Sequence, residues 1–210
     1  MKNNELWEEI EKMFSQSKRD VRIIEGTENV GLGVITYIGL NDDTSIGAVI
    51  RNTKGIIVDN TVRILGQGDK EIDGMDVVNE IEDGRMLIDG KLIVATDIVG
   101  GAYAMNITDM GSVIGSIWYF APDTLKWEAL GIKYSEFLYW TALGNMDDFY
   151  KSLRWRDWKQ MAAGLTFNQA YMFYPFLWSK ECDRDSAKKS VVPYKEILGI
   201  NLEYGKKFFG

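Results

Sequence analysis

The pattern of apolar and polar residues predicts strands in the middle of the chain and helices on both sides of them. Short apolar runs that end at glycine, asparagine or aspartate are typical of strands. An Asp-Gly pair, Asp89 and Gly90, joins two such runs, which indicates a hairpin. Residues 86–120 are therefore expected to form four neighbouring strands of a mainly antiparallel sheet. The predicted strands cover residues 21–24, 56–59, 62–65, 86–88, 91–96, 102–105 and 117–120.

Apolar residues at helical spacing predict a surface helix near the N-terminus and several helices after the strands. A helix is also expected over residues 28–40, although its glycines and β-branched residues oppose one. Thr166 and Gln169 have capping-box spacing, so a further helix is expected to run from there to Pro175. The predicted helices cover residues 6–14, 28–40, 44–51, 75–81, 134–144, 145–153, 157–164 and 166–175.

The last part of the chain and the total chain length give the remaining expectations about the fold. Residues 179–192 are polar and are expected to form an exposed loop, with a last short helix or strand after Pro193. A chain of 210 residues, of which 46% are hydrophobic and 12% aromatic, can fill one sizeable core. We therefore expect one α+β domain, residues 1–210, in which helices cover an aromatic-rich face of the sheet.

The acidic balance of the chain argues against two classes of partner. The 24 basic and 31 acidic residues give a net charge of −7, which disfavours direct binding to nucleic acid or to an anionic membrane. An acidic surface would suit a basic partner, but ordinary solubility explains it equally well. A single cysteine, Cys182, and the lack of a signal-peptide core or a membrane-length apolar run favour the cytoplasm.

The chain contains no histidine, and this restricts its chemistry more than any other feature of the composition. It excludes the usual general base near neutral pH, the Ser-His and Cys-His nucleophile arrangements, and the commonest zinc ligand. A catalytic site would have to use carboxylates, lysine, tyrosine or a hard metal ion. We expect no cofactor and no enzymatic activity.

Residues 69–80 have the spacing of a calcium-binding loop. Oxygen ligands occupy its first, third, fifth and twelfth positions: Asp69, Glu71, Asp73 and Glu80. Against calcium, the third position normally carries a shorter side chain, Asp76 replaces the usual apolar residue, and a strand precedes the loop. A solvated acidic loop that leads into a helix is the favoured interpretation, and calcium binding is the alternative.

Asp123 and Glu128 are the candidate catalytic carboxylates. They could form the acid and base of a glycoside hydrolase if their carboxyl groups lay about 5–9 Å apart. An aspartate after a proline more often fixes a turn by accepting backbone hydrogen bonds, which we favour for Asp123. The seven tryptophans could stack on sugars, but most occur among helices that need large side chains for packing.

Gly100, Gly101 and Arg154 each have a structural and a functional interpretation. The glycine pair could bring backbone amides close to a ligand, but a sharp bend or bulge is the favoured explanation. Arg154 could stack on a tryptophan ring or form a buried ion pair. The candidate partners for that ion pair are Asp97, Asp123 and Glu128.

Six strings in the second half of the chain carry a family resemblance: LIVATDIVGGAYAMN, WYFAPDTLKWEAL, YSEFLYW, FYKSLRW, MFYPFLWSKE and VPYKEI. Together they resemble a bacterial family defined only as a domain of unknown function, over residues 21–202. More distantly, the order of elements resembles the SUKH superfamily, which includes Syd-like proteins, fungal cell-wall synthesis regulators and bacterial toxin-immunity proteins. The resemblance implies an α+β fold with a twisted, mainly antiparallel sheet flanked by helices, and a binding role.

The candidate binding residues are taken from positions that match this family: Asp97, Asn106, Tyr119, Asp123, Trp127 and Arg154. The chain departs from the family at one position, because Asp59 is followed by Asn60 where the family has histidine. If that histidine were a catalytic base elsewhere, this chain would lack it.

Three functions from different classes remain. The first is a non-catalytic protein-binding module of the SUKH type, such as an immunity protein that occupies the cleft of a basic toxin domain. The second is a carbohydrate-active or carbohydrate-binding protein that uses Asp123, Glu128 and nearby tryptophans. The third is an intracellular scaffold or regulator. A contiguous exposed acidic or aromatic patch without a deep polar pocket would favour the first.

Overall fold

The structure of the protein is a computed structural model that describes residues 2–82, 85–108 and 113–209. At its centre, a seven-stranded sheet pairs each strand antiparallel with the next strand along the chain. A separate two-stranded ribbon follows later in the sequence. The expected α+β fold with a mainly antiparallel sheet is therefore confirmed. The strands are β1 (Val21–Glu25), β2 (Thr53–Val58), β3 (Val62–Leu65), β4 (Lys91–Asp97), β5 (Ala102–Asn106), β6 (Ser116–Ala121), β7 (Lys126–Lys133), β8 (Gln169–Tyr174) and β9 (Lys188–Pro193).

The helices begin where the local capping signals predicted several of them. The side chain of Thr44 accepts a hydrogen bond from the Gly47 amide at 3.2 Å, and Asn145 accepts one from the Asp148 amide at 3.3 Å. Within the described ranges, no helix is long and apolar enough to cross a membrane. The helices are α1 (Lys2–Ser15), α2 (Glu28–Ile38), α3 (Ser45–Asn52), α4 (Met75–Val78), α5 (Tyr134–Leu143), α6 (Met146–Tyr150), α7 (Trp158–Ala162) and α8 (Tyr194–Phe209).

One face of the sheet is covered by helices. Ala95 on β4 pairs with Tyr103 on β5, which pairs with Tyr119 on β6, and directly paired residues point to the same face. Asp97 lies two residues beyond Ala95 and shares that face. The ring of Phe137, from α5, lies 4.8 Å from the Tyr103 ring between centroids. Helices α1, α3 and α5 also pack against one another.

The opposite face is covered by the β8–β9 ribbon and by α8. Arg63 on β3 points to this face. The backbone amide of Tyr171, in β8, donates to the carbonyl of Ile98 at 2.7 Å. Ile197, in α8, lies so close to Gly100 that a Cβ on the glycine would be 2.9 Å from the isoleucine side chain. The sheet is thus the middle of three layers, and side chains at its centre are shielded on both faces.

Several local predictions near the sheet were wrong. Residues 86–88 do not form a strand, and residues 86–120 supply three strands of the sheet, since β4 pairs with β3 and β5. The Asp89-Gly90 pair does form a turn, in which the Lys91 amide donates to the Ile88 carbonyl at 3.2 Å. β7 had not been predicted, and the helix that begins at residue 75 ends at Val78 instead of residue 81.

The predictions for residues 166–192 were also wrong in part. Gln169 accepts a hydrogen bond from the Thr166 amide at 2.9 Å, as in a capping box, but the residues that follow form β8 instead of a helix. β8 pairs with β9, which takes residues 188–192 out of the exposed loop expected over residues 179–192. A pairing between segments far apart in sequence therefore outweighed the local helix signal.

Candidate functional site

Asp97, at the end of β4, is the centre of a buried polar cluster. None of its surface is exposed. Its Oδ1 accepts hydrogen bonds from the amides of Val99 and Gly101 at 3.0 and 2.8 Å. Its Oδ2 accepts from the hydroxyls of Tyr119 and Tyr150 at 2.8 and 3.0 Å. Burial raises the pKa of Asp97 above its ordinary value, and these hydrogen bonds oppose that shift because they favour the carboxylate.

Tyr103 completes this cluster, which we call the buried polar centre and which consists of Asp97, Tyr103, Tyr119 and Tyr150. The hydroxyl of Tyr103 lies 2.6 Å from that of Tyr150, and its ring lies 4.7 Å from the Tyr119 ring. Burial raises the pKa of all three tyrosines well above 10.0, and the nearby Asp97 carboxyl adds to the shift. At neutral pH the tyrosines are therefore uncharged hydrogen-bond donors. The chain brings together two predicted site residues, Asp97 and Tyr119, with two that sequence reasoning did not select.

Gly100 and Gly101 make the sharp bend that closes this centre. Gly100 has a positive φ of 86°, which favours glycine. A Cβ on Gly101 would lie 2.4 Å from the Tyr119 hydroxyl and 2.6 Å from Asp97 Oδ2. The favoured interpretation of the glycine pair as a bend agrees with this geometry, since the space beside Gly101 is filled by side chains of the protein itself.

Arg63 is a second buried charged residue, on the opposite face of the sheet, and only 1% of its surface is exposed. Its Nη1 donates to the carbonyls of Asn60 and Thr61 at 2.7 and 3.0 Å. Among the described residues, its Nε and Nη2 have no hydrogen-bond partner. Burial lowers the pKa of Arg63 to about 10, and the charge of Asp97 opposes that shift. An arginine within the apolar run of β3 was a visible signal that sequence reasoning did not use.

Arg154 connects α6 to the turn between β2 and β3. It forms ion pairs with Asp147 and with Asp59, the latter at 3.4 Å. Its guanidinium lies 3.8 Å from the centre of the Trp158 ring, so contact with a tryptophan, one of the two alternatives considered, occurs together with the ion pairs. The ion-pair partners of Arg154 are therefore Asp59 and Asp147. The expectation that the partner would be Asp97, Asp123 or Glu128 was wrong. Burial raises the pKa of Asp59, and the charge of Arg154 opposes the shift.

The candidate calcium loop is held by interactions within the protein. Asp69 forms an ion pair with Lys54 at 2.9 Å and accepts hydrogen bonds from the amides of Glu71 and Ile72. The ion-paired hydrogen bond from Lys54 lowers the pKa of Asp69 to about 2. Glu80 pairs with a lysine of α8 at 3.7 Å. In the part of the chain that the structure describes, no three acidic or cysteine residues are grouped to hold a metal ion, so the geometry favours the solvated loop.

Asn106 and Trp127 lie away from the buried polar centre. Asn106, at the end of β5, is buried, and its side-chain amide donates to the carbonyl of Thr108 at 2.7 Å. It therefore supports the start of the β5–β6 connection. Trp127, on β7, is partly buried, with its ring 5.3 Å from that of Phe120 and below the ammonium group of Lys91 at 5.7 Å.

Asp123 and Glu128 have different surroundings. Asp123 is partly buried and pairs with Arg184 at 3.8 Å. Glu128 is exposed on β7, where it pairs with Tyr119 across the strands. The corner at Pro122 and Asp123 brings the chain back into β7 through Leu125, whose φ is 57°. The ion pair of Asp123 joins the corner to the connection between β8 and β9, whereas the backbone hydrogen bonds expected at the Asp123 carboxyl are not found among the described residues.

Aromatic side chains gather on the surface near the end of α8. We call the set Phe176, Trp178, Tyr204, Phe208 and Phe209 the C-terminal aromatic surface. The rings of Phe176 and Trp178 stack at 5.1 Å with an angle of 12° between their planes. The Trp178 ring also contacts those of Tyr204 and Phe208, at 5.0 and 5.4 Å. Phe208 and Phe209 remain 53% and 57% exposed, although large apolar side chains are normally buried.

An open groove of about 740 Å³ continues from this surface. Phe209 belongs to the aromatic surface and also lines the groove, whose other wall is formed by β6, β7 and residues 86–89. Neither Asp123 nor Glu128 is part of its lining. Its apolar lining consists of Met86, Leu87, Ile88, Phe120, Leu125, Trp127, Leu202 and Phe209. Of the residues in this region, sequence reasoning had selected Trp127 alone, because the contacts of the other aromatic residues depend on the fold.

Comparisons with known proteins place the chain in a family. Residues 1–197 match the model of the family described as Protein of unknown function DUF2625. A relative from Escherichia coli (strain K12), described as a putative uncharacterized protein YbfG, is 28% identical over 203 residues, which cover 96% of this chain and 93% of the relative. An uncharacterized protein from Haemophilus influenzae is 26% identical over 203 residues, which cover 94% of this chain and 85% of the relative. The chain therefore belongs to the DUF2625 family, and the expected membership of a bacterial family of unknown function is confirmed.

Proposed function

We propose that the protein is a non-catalytic protein-binding module whose partner docks on the C-terminal aromatic surface. The observation that carries this proposal is the exposure of Phe208 and Phe209 at 53% and 57%, next to the half-buried ring of Trp178. Exposed aromatic groups with partly buried neighbours are typical of protein interfaces, because they remove a large apolar area from water on binding.

The polar groups support the same proposal. Asp97 and Tyr119 carry groups of the kind found in catalytic sites, a carboxyl and a phenol hydroxyl. Both residues are buried, and a hydrogen bond of 2.8 Å joins them. Asp123 is paired with Arg184. A substrate would need access to such groups, whereas a protein partner needs only an exposed complementary surface.

A narrower form of the proposal is an immunity role of the SUKH type, in which the partner is a toxin domain. It is supported by the resemblance in the order of elements and by the net charge of −7, which would attract a basic protein over long distances. A role as an intracellular scaffold would use the same C-terminal aromatic surface, and it differs from the immunity role only in the identity of the partner.

The test begins with affinity capture from the native host, followed by calorimetry with the purified captured protein. Phe208→Ala/Phe209→Ala is the test variant, and Tyr139→Ala, which removes an exposed ring from α5, is the matched control. We expect the double variant to lose affinity by at least about tenfold, because aromatic residues dominate interface energies. We expect the control to bind normally.

Equal binding by wild type and by the double variant would contradict this proposal. Circular dichroism and thermal unfolding establish that each variant is folded before binding is measured. Saturable binding of soluble oligosaccharides, in place of any protein, would favour the carbohydrate-binding hypothesis instead.

A further inference from the structure

The groove beside the C-terminal aromatic surface has a charge that differs from that of the whole protein. Lys126 and Lys206 line it together with one acidic residue, Asp89. Lys91 adds a further positive charge, because its ammonium group lies 5.1 Å from the ring of Trp118 and 5.7 Å from that of Trp127. The chain as a whole carries a net charge of −7, so this edge is a basic region on an acidic molecule.

Lys126 is held against an aromatic ring of the groove. The ammonium group of Lys126 lies 4.4 Å from the centre of the Phe209 ring, within the range of a cation–π contact. Lys126 and Lys206 form no ion pair with a carboxylate of the described residues. An incoming carboxylate can therefore pair with them without breaking an existing ion pair, and apolar side chains beside it can enter the groove.

We propose that the groove binds a short acidic segment of the partner protein that carries bulky apolar residues between its carboxylates. This inference rests on the proposed function, since it names the chemistry of the docking segment in the same region, whereas the net charge of −7 concerns the overall charge of the partner. A volume of about 740 Å³ accommodates a few side chains, such as leucine and phenylalanine. The apolar walls would hold these side chains, and the lysines would hold the flanking carboxylates.

The experiment uses two fluorescein-labelled synthetic peptides and the full chain. The first has the sequence Glu-Glu-Leu-Phe-Glu-Leu-Phe-Glu-Glu, and the second has lysine in place of every glutamate. Fluorescence anisotropy is measured at low and at physiological salt. Lys126→Glu/Lys206→Glu is the test variant, and Lys12→Glu/Lys151→Glu, which makes the same charge change at exposed positions on α1 and after α6, is the control.

We expect the acidic peptide to bind with one-site saturation and the lysine peptide to bind at least about tenfold more weakly. The charge reversal of Lys126 and Lys206 should weaken binding of the acidic peptide by about tenfold or more at low salt, and the effect should decrease as salt is added. The control variant should bind within about twofold of the wild type at physiological salt, because neither of its lysines lines the groove and salt screens charges that are not in contact with the peptide.

Three outcomes would overturn the inference. They are binding of neither peptide, stronger binding of the lysine peptide, and binding of the acidic peptide that is unchanged by the reversal of Lys126 and Lys206. The proposed function is tested separately by capture with the Phe208→Ala/Phe209→Ala variant. A captured protein that depends on the two phenylalanines but not on the two lysines would therefore refute the acidic-segment inference and leave the protein-binding function in place.

Discussion

Replacing Tyr119 with phenylalanine isolates one hydrogen bond of the buried polar centre. The substitution keeps the ring and removes only the hydroxyl that donates to Asp97 at 2.8 Å. At a pH above the raised pKa of Asp97, the hydrogen bond reaches a charged carboxylate; such bonds contribute about 1.5–3 kcal/mol, so we expect Tyr119→Phe to lower the free energy of unfolding by that amount there. For a chain of this size, each kcal/mol corresponds to roughly 2–4 °C in Tm.

The chain offers a matched control in Tyr134, another buried tyrosine. Its hydroxyl is buried and has no hydrogen-bond partner among the described residues. Tyr134→Phe makes the same chemical change but removes an unpaired polar group, so its stability should be unchanged or higher by up to about 1 kcal/mol. Urea unfolding followed by tryptophan fluorescence measures both variants.

The pH dependence of this difference follows from the sign of the Asp97 shift. Burial raises the pKa of Asp97 above 3.8. The contribution of Asp97 to the free energy of unfolding is therefore fully present below pH 3.8, and it is lost as the pH rises through the raised pKa. The Tyr119 hydroxyl favours the ionised carboxylate, and removing it raises the pKa of Asp97 further. The stability difference between wild type and Tyr119→Phe should therefore widen as the pH rises through that range.

Two results would refute this reasoning. Equal losses for Tyr119→Phe and Tyr134→Phe would mean that the bond to Asp97 contributes nothing specific. A difference from wild type that narrows as the pH rises would mean that the hydroxyl does not stabilise the carboxylate.

Two further substitutions test the packing around the proposed structural residues. Gly101→Ala should destabilise the protein by at least about 2 kcal/mol in a urea titration, because the new Cβ would lie 2.4 Å from the Tyr119 hydroxyl. The control is Gly33→Ala in α2, where nothing lies within 4 Å of the new Cβ, and it should stabilise the protein by up to about 1 kcal/mol. A loss of stability in both variants would contradict the steric argument. Arg154→Lys should cost about 1–2 kcal/mol although the charge is kept, because the contact of the guanidinium with the Trp158 ring at 3.8 Å is lost. An unchanged unfolding midpoint would show that this contact is not stabilising.

The parts of the fold that could be predicted from sequence are those with a local signal. Strands were expected over residues 56–59 and 62–65, and β2 and β3 form there, although Asp59 lies with Asn60 in the turn, where both have φ near 50°. Thr44 and Asn145 cap the helices that were expected over residues 44–51 and 145–153. β8 could not be predicted in this way, because its pairing partner begins at Lys188 and the capping-box spacing of residues 166–169 favours a helix.

The candidate site was predictable to a similar extent. Asp97 and Tyr119 were selected because their strings resemble a family, and the structure joins them directly. Tyr150 was assigned only to a helix, since no sequence pattern indicates that a residue 53 positions away reaches the same carboxylate. The exposure of Phe208 likewise depends on how α8 packs, and a run of aromatic residues at helical spacing is more often part of a core.

The buried polar centre and the C-terminal aromatic surface lie differently relative to the segment that matches the family, and this bears on how far the proposed function extends to relatives. The residues of the buried polar centre lie within the segment that matches the family model, residues 1–197, and they are buried, so they can specify the fold but cannot contact a partner. Tyr204, Phe208 and Phe209 follow that segment, and Phe208 and Phe209 are the exposed residues of the aromatic surface. A fold held by buried residues can keep its shape while exposed residues change, and specificity is a difference in affinity that exposed residues determine. We therefore expect proteins of this family to share the polar centre and to differ in partner wherever the end of α8 differs.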